Sequence, residues 1–142
     1  MKIIDTHSHI YAEEFDADID ATIARAKAVG VEKILLPNID VASVDRLHNL
    51  ADTYKGFCIP MMGLHPTSVG ADWKTQLEEV HNQFLQRQYI AVGEIGIDLY
   101  WDKTYAKEQE LVFEEQLRWS IEYDLPVAIH SRDAIAECVA CV

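Results

Sequence analysis

The amino-acid sequence predicts an α/β chain folded as a (β/α)₈ barrel, of which these 142 residues carry about the first five β/α units. Three observations predict it. Short β-branched runs alternate with longer amphipathic ones, which implies parallel strands joined by right-handed helical crossovers. The first strand-to-helix connection, Ser8 to Glu13, has no glycine and matches neither G-x-G-x-x-G nor G-x-x-x-x-G-K-S/T, which argues against a doubly wound nucleotide-binding sheet. Polar, chemistry-bearing residues gather at the C-terminal ends of the strands, where barrels build their sites. A complete barrel takes about 250 residues. The chain therefore reads as one domain, residues 1–142, truncated at its C-terminus, with open sheet edges after the first and fifth strands that invite self-association.

Each element has its own signal. Lys2 to His7 is the first strand. A helix from about Glu14 to Val29 follows, with Phe15, Ile19, Ile23 and Ala26 at helical spacing and Gly30 as its stop. Glu32 to Asn38 reads as the second strand. Ser43 to Tyr54 is the second helix, with Val44, Leu47, Leu50 and Ala51 facing inward and Gly56 beyond its end. Phe57 to Leu64 is the third strand, closed by His65-Pro66. Trp73 to Arg87 is the third helix, with Trp73, Leu77, Val80 and Phe84 on one stripe. Ile90 to Ile95 is the fourth strand, and Lys107 to Tyr123 a long helix presenting Phe113, Leu117 and Ile121. Pro126 to His130 starts the fifth strand, and Asp133 to Val142 opens the fifth helix.

Composition removes several functional classes. Apolar residues make up 49% of the chain and charged ones 25%, with only six Gly and four Pro, so disorder is excluded. No run approaches the roughly 20 apolar residues of a membrane span. The N-terminus, Met1-Lys2-Ile3-Ile4-Asp5, lacks a signal peptide's apolar centre. Three cysteines, an odd and sparse set, suggest reduced thiols and a cytoplasmic home. Cys138 and Cys141 have the spacing of redox and zinc motifs, but packing of an alanine-rich helix face explains them better. Twelve Lys and Arg against 24 Asp and Glu give a net charge of −12. A broad basic grip on nucleic acid is thereby ruled out, and an anionic substrate would need bound divalent cations to invert the local potential.

Four segments carry chemistry. In Asp5-Thr6-His7-Ser8-His9, alternate residues share a strand face, so His7 and His9 can chelate one metal. Gly63-Leu64-His65-Pro66 is weak alone. Gly93-Glu94-Ile95-Gly96-Ile97-Asp98 places an acid on an apolar strand, where an unpaired carboxylate is costly and a metal removes the cost; a turn with solvated acids is the plainer alternative. Val127-Ala128-Ile129-His130-Ser131-Arg132-Asp133 puts a His and an Arg at a strand end, suited to metal ligation beside a phosphate, although Arg132 could instead pair with Asp133 or Glu94. Glu94, with two oxygens, is the natural bridge between two cations. His48 and His81 lie within helices and read as solvated bystanders.

In this order and spacing the four segments resemble the TatD-type metal-dependent deoxyribonucleases of the amidohydrolase-like superfamily. The resemblance spans the whole chain. It implies a TIM-type barrel with two divalent cations, Mg, Mn or Zn. His7, His9 and Glu94 match the ligands of one, and Glu94 and His130 those of the other. It places His65 and Arg132 near the substrate phosphate, with Glu94, Arg132 and His65 as the catalytic set and Asp98 supporting a ligand from behind. It implies hydrolysis of DNA phosphodiesters by a metal-activated water, working from an end or on single strands. Three further strands, bearing another His ligand and a late Asp in that family, have no counterpart here. The residues alone also fit a related hydrolase of small amides, esters or phosphates, or a catalytically incomplete metal-binding fragment.

Overall fold

The computed structural model describes residues 1–142. Five strands alternate with five helices: β1 (Ile3–Asp5), α1 (Ile19–Ala28), β2 (Val31–Leu36), α2 (Val44–Thr53), β3 (Cys58–Pro60), α3 (Trp73–Phe84), β4 (Val92–Asp98), α4 (Ala106–Glu122), β5 (Val127–Arg132) and α5 (Ile135–Cys141). All pairings are parallel. β1 pairs with β2, β2 with β3, and β4 with β5. A single bridge, Met62 with Val92, joins the two groups, supported by the Gly93 amide donating to the Met62 carbonyl at 2.9 Å. Spatial order therefore follows chain order without reversal, the winding of a barrel wall rather than of a doubly wound sheet. β1 and β5 each pair on one side only. No helix is long and apolar enough to cross a membrane.

All seven residues of β4 are buried, as expected of a parallel strand covered on both faces. Ile95 and Ile97 of β4, Leu36 of β2, Leu47 of α2 and Phe113 of α4 form the centre of the core, each at most 1% exposed. Phe113→Ala should therefore cost about 3–5 kcal/mol. Urea denaturation checks this, and a loss under ~1 kcal/mol would mean that α4 does not seal the core.

Several expectations need correction. The helix expected from Glu14 is split: Glu13–Phe15 is a 3₁₀ turn and α1 begins only at Ile19. Asp16 and Asp18 favour turn geometry. Arg46 fixes it from α2, its Nε donating to the Tyr11 carbonyl at 2.9 Å and its guanidinium pairing with Asp16. Leu64, the expected end of the third strand, lies outside the ladder, which stops at Pro60 as a regular element. Its amide and carbonyl instead bond the buried Gln116 side chain, at 2.7 and 3.1 Å. The same helix sends Gln109 Oε1 to the Asp98 amide at 2.8 Å. These amides rotate α4 relative to the expected stripe: Gln109, Val112, Gln116 and Trp119 are buried with Phe113, while Ile121 is exposed. His48 and His81 are not solvated. Both are half-buried, bonded to the Tyr89 and Tyr123 hydroxyls at 2.8 and 2.9 Å, and His81 stacks on Trp119. Cys138 is buried under β5 and all three cysteines are free thiols.

Candidate metal centre

His7, His9 and His65 lie beyond the ends of their strands, Asp98 and Arg132 close β4 and β5, and Glu94 and His130 stand within those two strands, β4 running on to Asp98 rather than ending at Ile95; the winding brings them to one mouth. Glu94 stands at the centre, only 6% exposed. Its Oε2 lies 3.0 Å from His7 Nε2, 3.3 Å from His9 Nε2 and 3.7 Å from His65 Nε2. Its Oε1 lies 3.2 Å from His130 Nδ1. Two clusters result, His7/His9/Glu94 and His65/Glu94/His130, each with donor atoms within 4.8 Å of one another. Burial pushes the Glu94 carboxyl up. The surrounding imidazoles of His65, His9 and His7 outweigh it and hold the group well below the usual carboxylate range.

Hydrogen bonds behind the imidazoles decide which ring nitrogen faces the centre. The Tyr11 hydroxyl donates to the Pro37 carbonyl at 2.6 Å, and burial pushes its phenol pKa up, so it stays protonated. Its oxygen is then the acceptor for His9 Nδ1 at 3.0 Å. In neutral His9 that leaves Nε2 as a lone pair. Asp98, 2% exposed, accepts from His130 Nε2 at 2.8 Å. Burial raises the Asp98 carboxyl, but the His130 hydrogen bond and the amides of Tyr100 and Trp101 lower it by more, which leaves a pure acceptor. His130 Nδ1 is thus also a lone pair.

His65 is the reverse case. The Thr67 amide donates to its Nδ1 at 3.2 Å. Neutral His65 therefore carries its proton on Nε2, 3.2 Å from His130 Nδ1, and presents a donor rather than a ligand to the mouth.

This donor set fits divalent cations. Two acceptors face each other at 3.3 Å (His9 Nε2 and Glu94 Oε2) and again at 3.2 Å (His130 Nδ1 and Glu94 Oε1). Each contact needs either a proton or a cation between the lone pairs. With ligand bonds of about 2.0–2.2 Å, neighbouring ligand atoms on one ion stand roughly 3–3.5 Å apart, the spacing seen here. Nitrogen and carboxylate donors in this mixture suit Zn and Mn, and the carboxylate suits Mg.

Arg132 makes neither of the ion pairs open to it in the sequence. Its guanidinium carbon lies 3.8 Å above the Tyr100 ring and 5.2 Å from that of Trp101. Sequence reasoning passed over Tyr11, Thr67 and Asn38. Asn38, fully buried, donates through Nδ2 to the carbonyls of Gly63 and Asp40 and accepts from Ser43 Oγ through Oδ1. Its backbone brackets the Gly93–Glu94 peptide, with its amide to Gly93 O at 3.1 Å and its carbonyl from Glu94 N at 3.2 Å. An Asn directly after Pro37 at a strand end is the only trace of this in the sequence.

Parallel strands wound in chain order, with imidazoles from several strands gathered around a shared carboxylate within β4, define a class: barrels built around a metal centre. The chain belongs to the TatD related DNase family, whose profile matches residues 4–142. It is 33% identical over 137 residues to the metal-dependent hydrolase YabD of Bacillus subtilis, covering 96% of this chain and 53% of YabD. It is 31% identical to the 3'-5' ssDNA/RNA exonuclease TatD of Klebsiella pneumoniae, covering 93% of this chain and 50% of that protein. The crystal structure of the TatD homologue YjjV from Escherichia coli superimposes with a TM-score of 0.89 at 34% identity, over 97% of this chain and 54% of YjjV. The chain thus spans about half the length of the curated relatives it matches.

Proposed function

We propose that this chain supplies the metal-binding half of a hydrolase that cuts phosphodiester bonds in single-stranded DNA from an end. One observation carries the reading: Glu94 offers one oxygen to His7 and His9 and the other to His130, each facing a nitrogen lone pair. His7, His9 and Glu94 would hold one divalent cation, and Glu94 with His130 a second. Such ions supply Lewis-acid polarisation of a phosphoryl oxygen and a water that ionises near neutral pH. The chain's own groups do the rest. Asp98 keeps the His130 proton on Nε2, so Nδ1 stays available throughout. Tyr11 does the same for His9. His65 Nε2–H and the Arg132 guanidinium are the donors left to meet phosphate oxygens, where charge develops in the transition state. The relatives named as ssDNA/RNA exonucleases support the substrate class.

The test is nucleotide release from single-stranded DNA with Mg, Mn or Zn added in turn, and with a chelator as control. Metal-dependent release is expected, with an apparent affinity that falls only gently with salt, at a log–log slope of about 2 or less, because few phosphates are engaged at ~0.7 per contact. A slope of about 5 or more would require a long basic track and sink the pocket reading. Turnover of a small ester or cyclic amide without nucleotide release would replace DNA as the substrate.

A further inference from the structure

Of the thirteen Phe, Tyr and Trp residues, only Tyr100 and Trp101 are exposed, at 51% and 71%. Large aromatics normally bury most of their surface, so two adjacent exposed rings ask for a ligand. Only Leu99 separates them from the end of β4, whose residues are all buried. The rings meet edge to face at 4.8 Å, and Arg132 covers one face of Tyr100. The loop is held on both sides of the mouth. The Tyr100 amide donates to Asp98 Oδ1 at 3.0 Å, and the Leu99 amide to the Arg132 carbonyl at 2.9 Å. Trp101 also walls a cavity of about 150 Å³ whose far side is the Pro66–Thr67 turn that follows His65.

We infer that Tyr100 and Trp101 form a stacking platform for an unpaired nucleobase, beside the metal centre and against Arg132. The inference rests on the nucleic-acid reading above and deepens it. A chain with net charge −12 cannot hold a strand by cationic tracking, whereas a π-face accepts every base irrespective of sequence. Arg132 fixes Tyr100 from one side and keeps guanidinium hydrogens for the adjoining phosphate, so base and phosphate of one nucleotide are read by neighbouring groups. Duplex DNA offers no free base face, so the platform selects single strands or frayed ends.

The experiment compares wild type, Trp101→Ala and Trp101→Phe in binding a single-stranded hexadeoxynucleotide carrying 2-aminopurine, and an abasic strand of equal length. Binding is read by fluorescence and anisotropy in EDTA and again in Mn²⁺ with a cleavage-resistant phosphorothioate strand. Thermal melting and Mn²⁺ uptake verify fold and metal site. The platform requires roughly tenfold or greater weakening in Trp101→Ala for the base-bearing strand, near-wild-type binding in Trp101→Phe, and equal binding of the abasic strand by all three. Unchanged binding in Trp101→Ala, or equal losses on base-bearing and abasic strands, would overturn it while leaving the nucleic-acid reading intact. Association of the free chain that disappears in Trp101→Ala, with strand binding intact, would assign the face to a second copy. Failure of the wild type to bind any strand would overturn both readings.

Discussion

Glu94→Gln is expected to cut divalent-metal affinity by at least ~100-fold, beyond what loss of an outer partner of a ligand costs. The substitution keeps the side chain's shape but removes the charge on which both clusters converge, since Oε2 faces His7 and His9 and Oε1 faces His130. An amide nitrogen in place of either oxygen turns one acceptor into a donor and closes that cluster. Titration with Mn²⁺, followed by calorimetry, reads the loss directly. Thermal melting gives a second reading, because a metal at 100 times its Kd stabilises the wild type by about 2.7 kcal/mol and should add almost nothing to the variant. His48→Ala serves as the comparison: its imidazole bonds the Tyr89 hydroxyl and belongs to neither cluster, and metal uptake should stay at the wild-type level. Equal losses in the two variants would refute the assignment of Glu94 as the shared ligand.

Gly96→Ala is expected to destabilise the chain by about 3–5 kcal/mol, as backbone strain and steric overlap add. Gly96 has φ +142°, a conformation that side-chain-bearing residues rarely adopt, and it pairs with His130 in the β4–β5 ladder. A Cβ there would overlap the His130 carbonyl, a backbone atom that cannot step aside without moving the imidazole. Metal affinity should fall with stability. Gly56→Ala isolates the dihedral effect, because Gly56 has φ +82° but open space around it; it should lose only about 1–2 kcal/mol. If urea denaturation gives both variants the same loss, close strand approach at Gly96 is not what the glycine provides.

The alternation of strands and helices was legible because hydrophobic periodicity is a local property, and all five strands and five helices fall where the sequence puts them, within a few residues except at the start of α1 and the end of β3. The ionisable residues of the mouth were legible for another reason. A His or Glu within or just after a short apolar run is conspicuous, as His7, Glu94 and His130 are. Their supporting groups were not. Tyr11, Asn38, Thr67 and Gln116 act on backbone atoms or on the far side of a ring, and their partners are up to 52 residues away in the chain, as for Gln116 and Leu64. Neither periodicity nor charge marks such a residue. The error in α4 has the same origin. Counting only apolar residues selects Phe113, Leu117 and Ile121, whereas the buried face includes two glutamines whose amides are satisfied by strand ends.

Those glutamines give α4 a role beyond packing. Gln109 and Gln116 stand seven residues apart, two turns along one side of the helix, ~10.5 Å at 1.5 Å per residue. One grips the amide of Asp98, and the other grips the residue just before His65. The helix is thus a ruler laid across the mouth. The separation between the His130 anchor and the His65 donor is set by helical pitch, and sliding α4 by a single residue would break both grips at once.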